Sequence, residues 1–267
     1  MSSTVAISCW FGIGFSKPRK INSFRSFIDL IKYHIKSILP SSLYHTLNIQ
    51  TVVPKAPKNC QKALFFTNNS RLKKDIENKG WEYFFMPTGS IDGINSIDSS
   101  LEAKRVKFLQ FEDKVLERLK SFHYILYMDS RAIVDDVEYL KKKCDRGIVI
   151  RYSPAHKNKL TVWDEVREAN NVDRYRSAMP QTIKFINDHL KSIEYSEENR
   201  IMATGVILYK MSDLYKQKRI FDLCSQVYAT CMKLKQPECQ IIWCILSQPF
   251  SDLITAIEAE EVGTRSV

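Results

Sequence analysis

A chain of 267 residues, 44% hydrophobic and 26% charged, has room for one large core or two modest ones, and its 8 glycines and 9 prolines are too few for a collagen-like or low-complexity protein. The formal net charge of +10 favours an anionic partner, whether a phosphorylated ligand, a nucleic acid or an anionic membrane. That charge is spread along the chain without a block of five like charges, and basic residues do not cluster among aromatics, so nucleic acid is the least supported of the three.

Thr4 to Phe11 reads as a buried strand, followed by Gly12 and Gly14, a loop type that lets a backbone approach a nucleotide closely. Lys17 to Pro40 differs in character. Phe24, Phe27, Ile28, Ile31, Ile35 and Ile38 recur at helical spacing among Lys17, Arg19, Lys20, Arg25, Lys32 and Lys36, with Asn22 or Ser23 as cap and Pro40 as stop. Such a helix either packs its stripe on the core or lies on an anionic membrane. Leu43 to Lys62 reads as a connector. Ala63 to Asn69 is a strand with a polar end, Arg71 to Lys79 a short helix stopped by Gly80, and Trp81 to Met86 another strand. Glu102 to Lys120 has the periodicity of one helix.

The apolar run Tyr124-Ile125-Leu126-Tyr127-Met128 then ends abruptly in Asp129-Ser130-Arg131. In a parallel sheet, ligands bind just beyond the carboxyl ends of strands. An Asp there can hold a ribose hydroxyl or a metal, and an Arg can face phosphates. Beyond it come a helix from Val137 to Lys143, a strand from Gly147 to Tyr152, and helices from Thr161 to Ala169 and Met179 to Ile193. A strand from Met202 to Lys210 follows, then a helix capped by Ser212 and running to Leu234, and a last helix from Glu238 to Leu246 with Pro237 in its first turn. Strands alternating with helices predict an α/β fold with a mostly parallel sheet flanked by helices. Seven scattered cysteines without a C-x-x-C pair argue against structural zinc and suit reduced thiols. With no basic n-region at the start and no apolar run of membrane-spanning length, the expected location is cytoplasmic, with peripheral membrane contact through the basic helix.

The order of these pieces resembles a glycosyltransferase-like family whose members include plant mucilage-related and bacterial polysaccharide proteins. Ala6-Ile7-Ser8-Cys9-Trp10-Phe11-Gly12 is similar to its first strand, and Phe65-Phe66-Thr67-Asn68 with Gly80-Trp81-Glu82 to its "CFTD … GWE" segment. Lys104 and Lys107 stand where it has a basic pair, and Tyr127-Met128-Asp129-Ser130 resembles its "WxD" strand end. His156, Lys159, Trp163 and Glu165 match the spacing of its His, Arg, Tyr and Glu cluster. Gln181 and Phe185 fall at its Gln and Tyr, Gly205-Val206-Ile207-Leu208-Tyr209 resembles a late strand, and Gln240-Ile241-Ile242-Trp243 its "DQLSF" helix. The chain departs from that pattern at Lys159 for Arg, at Cys239 for the acid before the final Gln, with Glu238 one position away, and at Arg131 for the second acid of a D-x-D pair.

The resemblance implies a GT-A-like (Rossmann-like) domain over residues 1–250, with a basic helical insertion at 17–58 and a tail at 251–267. It also implies an enzyme, a hexosyl- or pentosyltransferase moving a sugar from a UDP- or GDP-sugar to a glycan or lipid-linked acceptor. In that reading Lys104, Lys107, Asp129, Arg131, His156 and Lys159 hold the donor and its phosphates. Asp129, Glu165 and Glu238 are the candidate catalytic acids, and Trp163, Gln181 and Gln240 face the acceptor. A divalent metal, manganese or magnesium, would rest on Asp129, with the diphosphate supplying further ligands. The alternative is a non-catalytic α/β module that binds an anionic polymer or membrane surface.

Overall fold

In a computed structural model of the chain, residues 2–12, 24–38, 51–88, 96–130, 132–154, 159–259 and 264–266 are described. Seven strands form one open sheet. In spatial order they are β3 (Glu82–Phe85), β2 (Lys62–Thr67), β1 (Thr4–Trp10), β4 (Tyr124–Met128), β7 (Met202–Lys210), β6 (Ile148–Tyr152) and β8 (Ile254–Ile257). Strand β7 runs antiparallel to β4 and β6; every other pairing is parallel. This is the mostly parallel, helix-flanked sheet that the alternation of elements predicts. A parallel sheet covered on both faces needs near-continuous apolar strands, and Leu64-Phe65-Phe66 and Ile125-Leu126-Tyr127-Met128 supply them.

Alternate residues face opposite layers. Val5, Ile7, Leu64, Phe66, Ile125, Tyr127 and Ile207 pack on α3 (Ser96–Lys107), α9 (Leu214–Leu234) and α10 (Cys239–Leu246) through Val106, Leu223, Val227, Ile242 and Trp243. Ala6, Phe65, Leu126, Met128 and Val206 pack on Leu72, on Ile76 of α2 (Lys73–Asn78) and on Val137 and Leu140 of α5 (Val137–Lys143). A third cluster joins α6 (Val162–Ala169), α7 (Asp173–Arg176) and α8 (Met179–Leu190) to the far side of α10 through Ile241 and Ile245. Helix α10 is therefore apolar all round because it is covered all round.

Several elements differ from their predicted form. The periodic stretch from Glu102 to Lys120 is two helices, α3 and α4 (Asp113–Lys120). Leu109 adopts a left-handed φ of 57° between them, and it and Phe108 are both buried, so the hydrophobic period continues while the helix does not. The break makes Lys107 the last residue of α3. Asp213, not Ser212, caps α9, its carboxylate accepting from the amides of Tyr215 and Lys216. The described residues of the predicted tail, 251–259 and 264–266, do not stand apart from the domain: β8 is the sheet's edge strand beside β6, and β9 (Thr264–Ser266) pairs with β5 (Ala132–Val134). The end of the predicted connector is docked as well. Val53 is buried, the Lys79 ammonium donates to the Thr51 hydroxyl at 3.1 Å and the Val53 carbonyl at 2.8 Å, and Trp81 Nε1 donates to the Pro54 carbonyl at 2.8 Å.

Candidate active site

The parallel strands β1, β2, β3, β4, β6 and β8 all point their carboxyl ends to one edge, and the antiparallel β7 begins there. Gly12 follows β1 with a φ of 119°, a region that favours glycine. It is tied to the end of β2, its amide donating to Asn68 Oδ1 at 3.2 Å and its carbonyl accepting from Asn69 Nδ2 at 2.9 Å. Gly14 lies outside the described residues.

Asp129 ends β4 at the centre of this edge. Its amide donates to the Gly205 carbonyl of β7 at 2.8 Å. Two residues along the strand from Tyr127, its side chain lies on the same sheet face and meets the end of α3. Lys107 Nζ stands 3.3 Å from Asp129 Oδ1 and 3.5 Å from Oδ2, and the Tyr127 hydroxyl donates to Oδ1 at 2.5 Å. The Lys107 side chain is 3% exposed, whereas that of Asp129 is 43% exposed, so the pair has a buried cation and a carboxylate open to the crevice. Burial raises the carboxyl's pKa, but Lys107, Lys104 and the Tyr127 hydroxyl outweigh it and hold Asp129 below the ordinary value. Lys107 also donates to Thr204 Oγ1 at 3.3 Å and Cys239 Sγ at 3.7 Å, and lies 5.1 Å from the Tyr127 ring centroid.

Lys104, one turn earlier on α3, is influenced by Cys239, Asp129 and Glu238, and its ammonium has no hydrogen bond or ion pair among the described residues. Burial lowers its pKa, and the surrounding acidic groups more than reverse that, so the ammonium stays protonated. The neighbouring α7 contributes Arg174, whose guanidinium reaches the Tyr175 hydroxyl while its buried Nε has no partner.

Gly205 explains how β7 fits beside Asp129. A Cβ there would lie 3.3 Å from Asp129 Oδ2 and 4.0 Å from Arg151 Nη2. Arg151, buried at the end of β6, thus adds a guanidinium to the same edge. Sequence reasoning passed over Arg151, Thr204 and Arg174. The signal at Arg151 is the one that marks Asp129, a charged residue closing an apolar strand, Ile148-Val149-Ile150-Arg151. Thr204 and Arg174 carry no comparable mark.

A second cluster adjoins the first through the start of α10. Glu238 caps that helix, its Oε1 accepting from the Gln240 amide at 3.3 Å. Glu165 of α6 is buried, with Lys159 Nζ 2.6 Å from Oε2 and Gln240 Nε2 donating to Oε1 at 3.1 Å. Lys159 also reaches Glu168 at 2.7 Å. Burial disfavours the Lys159 ammonium, but the two carboxylates hold its pKa above the ordinary lysine value. Burial and the Glu238 charge push Glu165 upward against the pull of Lys159. The capping box of Thr161 and Asp164 fixes the start of α6 and so aims Glu165 inward.

The sequence candidates therefore divide. Lys104, Lys107 and Asp129 come together at the strand ends, and Lys159, Glu165, Glu238 and Gln240 form the adjoining cluster. Trp163 turns aside, its Nε1 donating to Glu197 Oε2 at 2.7 Å. Gln181 is exposed and lines a separate groove of about 680 Å³ with Lys184, Phe185 and Lys233, between α8 and α9. On α10, three residues beyond Gln240, Trp243 is no part of the site: it is buried in the core, stacked on Phe108 with ring centroids 5.9 Å apart. Arg131 and His156 lie outside the described residues.

The donor set suits anions better than a protein-held metal. Asp129 already engages Lys107 and Tyr127, and among the described residues no three His, Cys, Asp or Glu side chains gather as ligands.

No protein-family model matches the chain, and no curated protein is similar to it in sequence. Among solved structures it is similar to mouse xyloside xylosyltransferase 1 in its apo form, with 10% identity and a TM-score of 0.43 over 96% of this chain and 85% of that one. The apo WbbM bifunctional glycosyltransferase gives 9% and 0.45 over 96% and 39%. The CMP:2-keto-3-deoxy-manno-octonic acid synthetase complexed with CTP gives 12% and 0.40 over 100% and 93%. Likenesses at this level do not carry chemistry from one chain to another.

Proposed function

We propose that the crevice at the carboxyl edge of the sheet binds the diphosphate of a nucleotide sugar, UDP- or GDP-linked, and transfers the hexosyl or pentosyl group to a glycan or lipid-linked hydroxyl. The observation that carries this reading is the half-exposed Asp129 carboxylate at the end of the central strand, flanked by Lys107 and Lys104. An open parallel sheet binds nucleotides at this edge. The resemblance of the strand ends and of the Lys104–Lys107 pair to the glycosyltransferase-like family agrees with it.

In transfer, the bond from the anomeric carbon to the diphosphate oxygen breaks and the acceptor oxygen takes its place. The leaving oxygen gathers negative charge, which preorganised cations stabilise. Lys104 has donors to spare, and Lys107 and Arg151 line the same edge. Asp129 is assigned to a ribose hydroxyl, for which its open side is suited. The reading gives charge neutralisation to these side chains; a divalent metal would come with the donor's phosphates, Asp129 adding at most one ligand. Of the two remaining acids, Glu165 is taken up by Lys159 and Gln240, which makes it a brace. Glu238, partly exposed, is assigned as the base that takes the acceptor's proton.

Titration calorimetry with UDP and GDP, followed by donor hydrolysis and transfer assays with and without chelator, tests the reading. Asp129→Asn is expected to weaken binding about tenfold or more while retaining the far-ultraviolet circular dichroism of the parent. Nucleotide affinity unchanged in that variant refutes the site. Tight binding without any transfer or hydrolysis, across a panel of donors, moves the chain to the non-catalytic reading.

A further inference from the structure

Helix α1 (Phe24–Ile38) is where the fold leaves an apolar face unburied. Phe24 is 79% exposed, Phe27 50%, Ile31 44% and Ile35 50%. Their spacing of three, four and four residues places them on one face of the helix. Single exposed apolar side chains are ordinary, but four in register form a continuous patch, which a soluble surface seldom carries without a partner.

The charge beside the patch says which partner. Lys32 is exposed, and in the sequence Arg25, Lys32 and Lys36 are spaced seven and four residues apart, a helical period. From residue 17 to 38 the sequence carries Lys17, Arg19, Lys20, Arg25, Lys32 and Lys36 against the one acid Asp29. The helix is 15 residues long, short of the roughly 20 needed to cross a bilayer, and no described helix is long and apolar enough to do so.

From this combination we infer that α1 is an interfacial anchor that lies in the plane of an anionic lipid surface, its stripe at the acyl boundary and its bases on the headgroups. A nucleic acid would use the bases and leave the stripe in water. A protein groove would use the stripe, and would use the bases only if its rim were acidic. An anionic lipid interface takes both without needing a preformed groove. Attachment through one short helix and a few bases is reversible and screened by salt. The inference uses no residue of the crevice, so it stands or falls independently of the proposed transferase activity.

Co-sedimentation of the full chain with vesicles of phosphatidylcholine, alone or mixed with phosphatidylserine, tests it. The chain is expected to bind the mixed vesicles at low salt, and about tenfold more weakly at high salt or on phosphatidylcholine alone. Ile31→Glu with Ile35→Glu is expected to reduce partitioning about tenfold or more with the unfolding temperature unchanged, because both side chains are exposed. Lys32→Glu with Lys36→Glu is expected to remove the preference for phosphatidylserine. Absence of binding to the mixed vesicles at low salt overturns the inference, as does parental binding by the Ile31, Ile35 variant. A fall in that variant's unfolding temperature would show the stripe packed within the protein. A lipid-free dimer that the variant dissociates would assign the stripe to a second copy. Either result also overturns it.

Discussion

Replacing Lys107 by Met separates the electrostatic role of the lysine from its packing, since the two side chains have similar length and the Lys107 stem is buried. At 3.3 Å from Asp129 Oδ1, a pair of unit charges interacts by about 5 kcal/mol at an effective dielectric of about 20. Asp129 is 43% exposed, so solvent screens much of that, and the desolvation of Lys107 that the variant no longer suffers offsets more. A net loss of about 1–3 kcal/mol at neutral pH is expected, which in a domain of this size lowers the unfolding temperature by about 2–4 °C per kcal/mol. The pH dependence carries the sharper test. The Asp129 carboxyl titrates below its ordinary value in the fold. Stability from such a group is complete above the unfolded pKa and drains away as the pH falls through the folded one. The gap between parent and Lys107→Met must therefore be widest at neutral pH and narrow in acid, below about pH 4. Thermal unfolding followed by circular dichroism across that range measures it. A variant as stable as the parent at neutral pH, or a gap that stays constant into acid, refutes the pairing as the source of the stability.

Three further outcomes follow from the geometry. Lys159→Met strands the buried Glu165 carboxylate and is expected to cost about 3–5 kcal/mol in urea unfolding, while adding Glu165→Gln recovers part of the loss; additive losses would contradict the pair. Glu238→Gln is expected to lower turnover about a hundredfold or more with nucleotide affinity retained, measured by transfer assay beside calorimetry, and unaltered turnover would return the base to another residue. Lys235→Gly, at the exposed left-handed C-cap of α9 with φ 52°, is expected to raise stability by about 0.5–1 kcal/mol in the same urea experiment, and a decrease would contradict the strain argument.

The parts of the fold that were readable in the sequence are those in which local pattern and tertiary role coincide. β1, β2, β4, β6 and β7 are apolar runs because both sheet faces are covered, and Asp129 stands out because it breaks such a run. The division of α3 from α4 was hidden, because Phe108 and Leu109 bury as regular helical residues would, and only the left-handed φ of Leu109 betrays the turn. β8 and β9 are too short to have a period, and their existence depends on β6 and β5 as partners. In the site, Lys107 could be aligned by resemblance. The contacts of Thr204 and the approach of Arg151 to Gly205 arise from β6, β7 and α3 meeting at one edge, which no spacing along the chain encodes.

The two clusters at that edge differ in how completely their charges are answered, and the difference assigns their roles. Burying a charge costs several kcal/mol, and apolar replacements of equal volume are often no less stable, so buried ions are weak evidence for stability alone. Around Glu165 every charged atom has a partner: Lys159 and Gln240 hold its two oxygens, and Glu168 completes Lys159. Apart from Glu238, which caps α10 and stays partly exposed, that set is closed and offers a ligand nothing; it fixes α6 against the start of α10. Around Asp129 the account is open. The Lys104 ammonium has no hydrogen-bond partner among the described residues, and one carboxylate faces the solvent. The cations there exceed what Asp129 can satisfy, and what would complete them is an anion with several oxygens that also brings a hydroxyl for Asp129. A diphosphate joined to a ribose has both, which is why the open cluster, and not the better-ordered closed one, is the place to look for substrate.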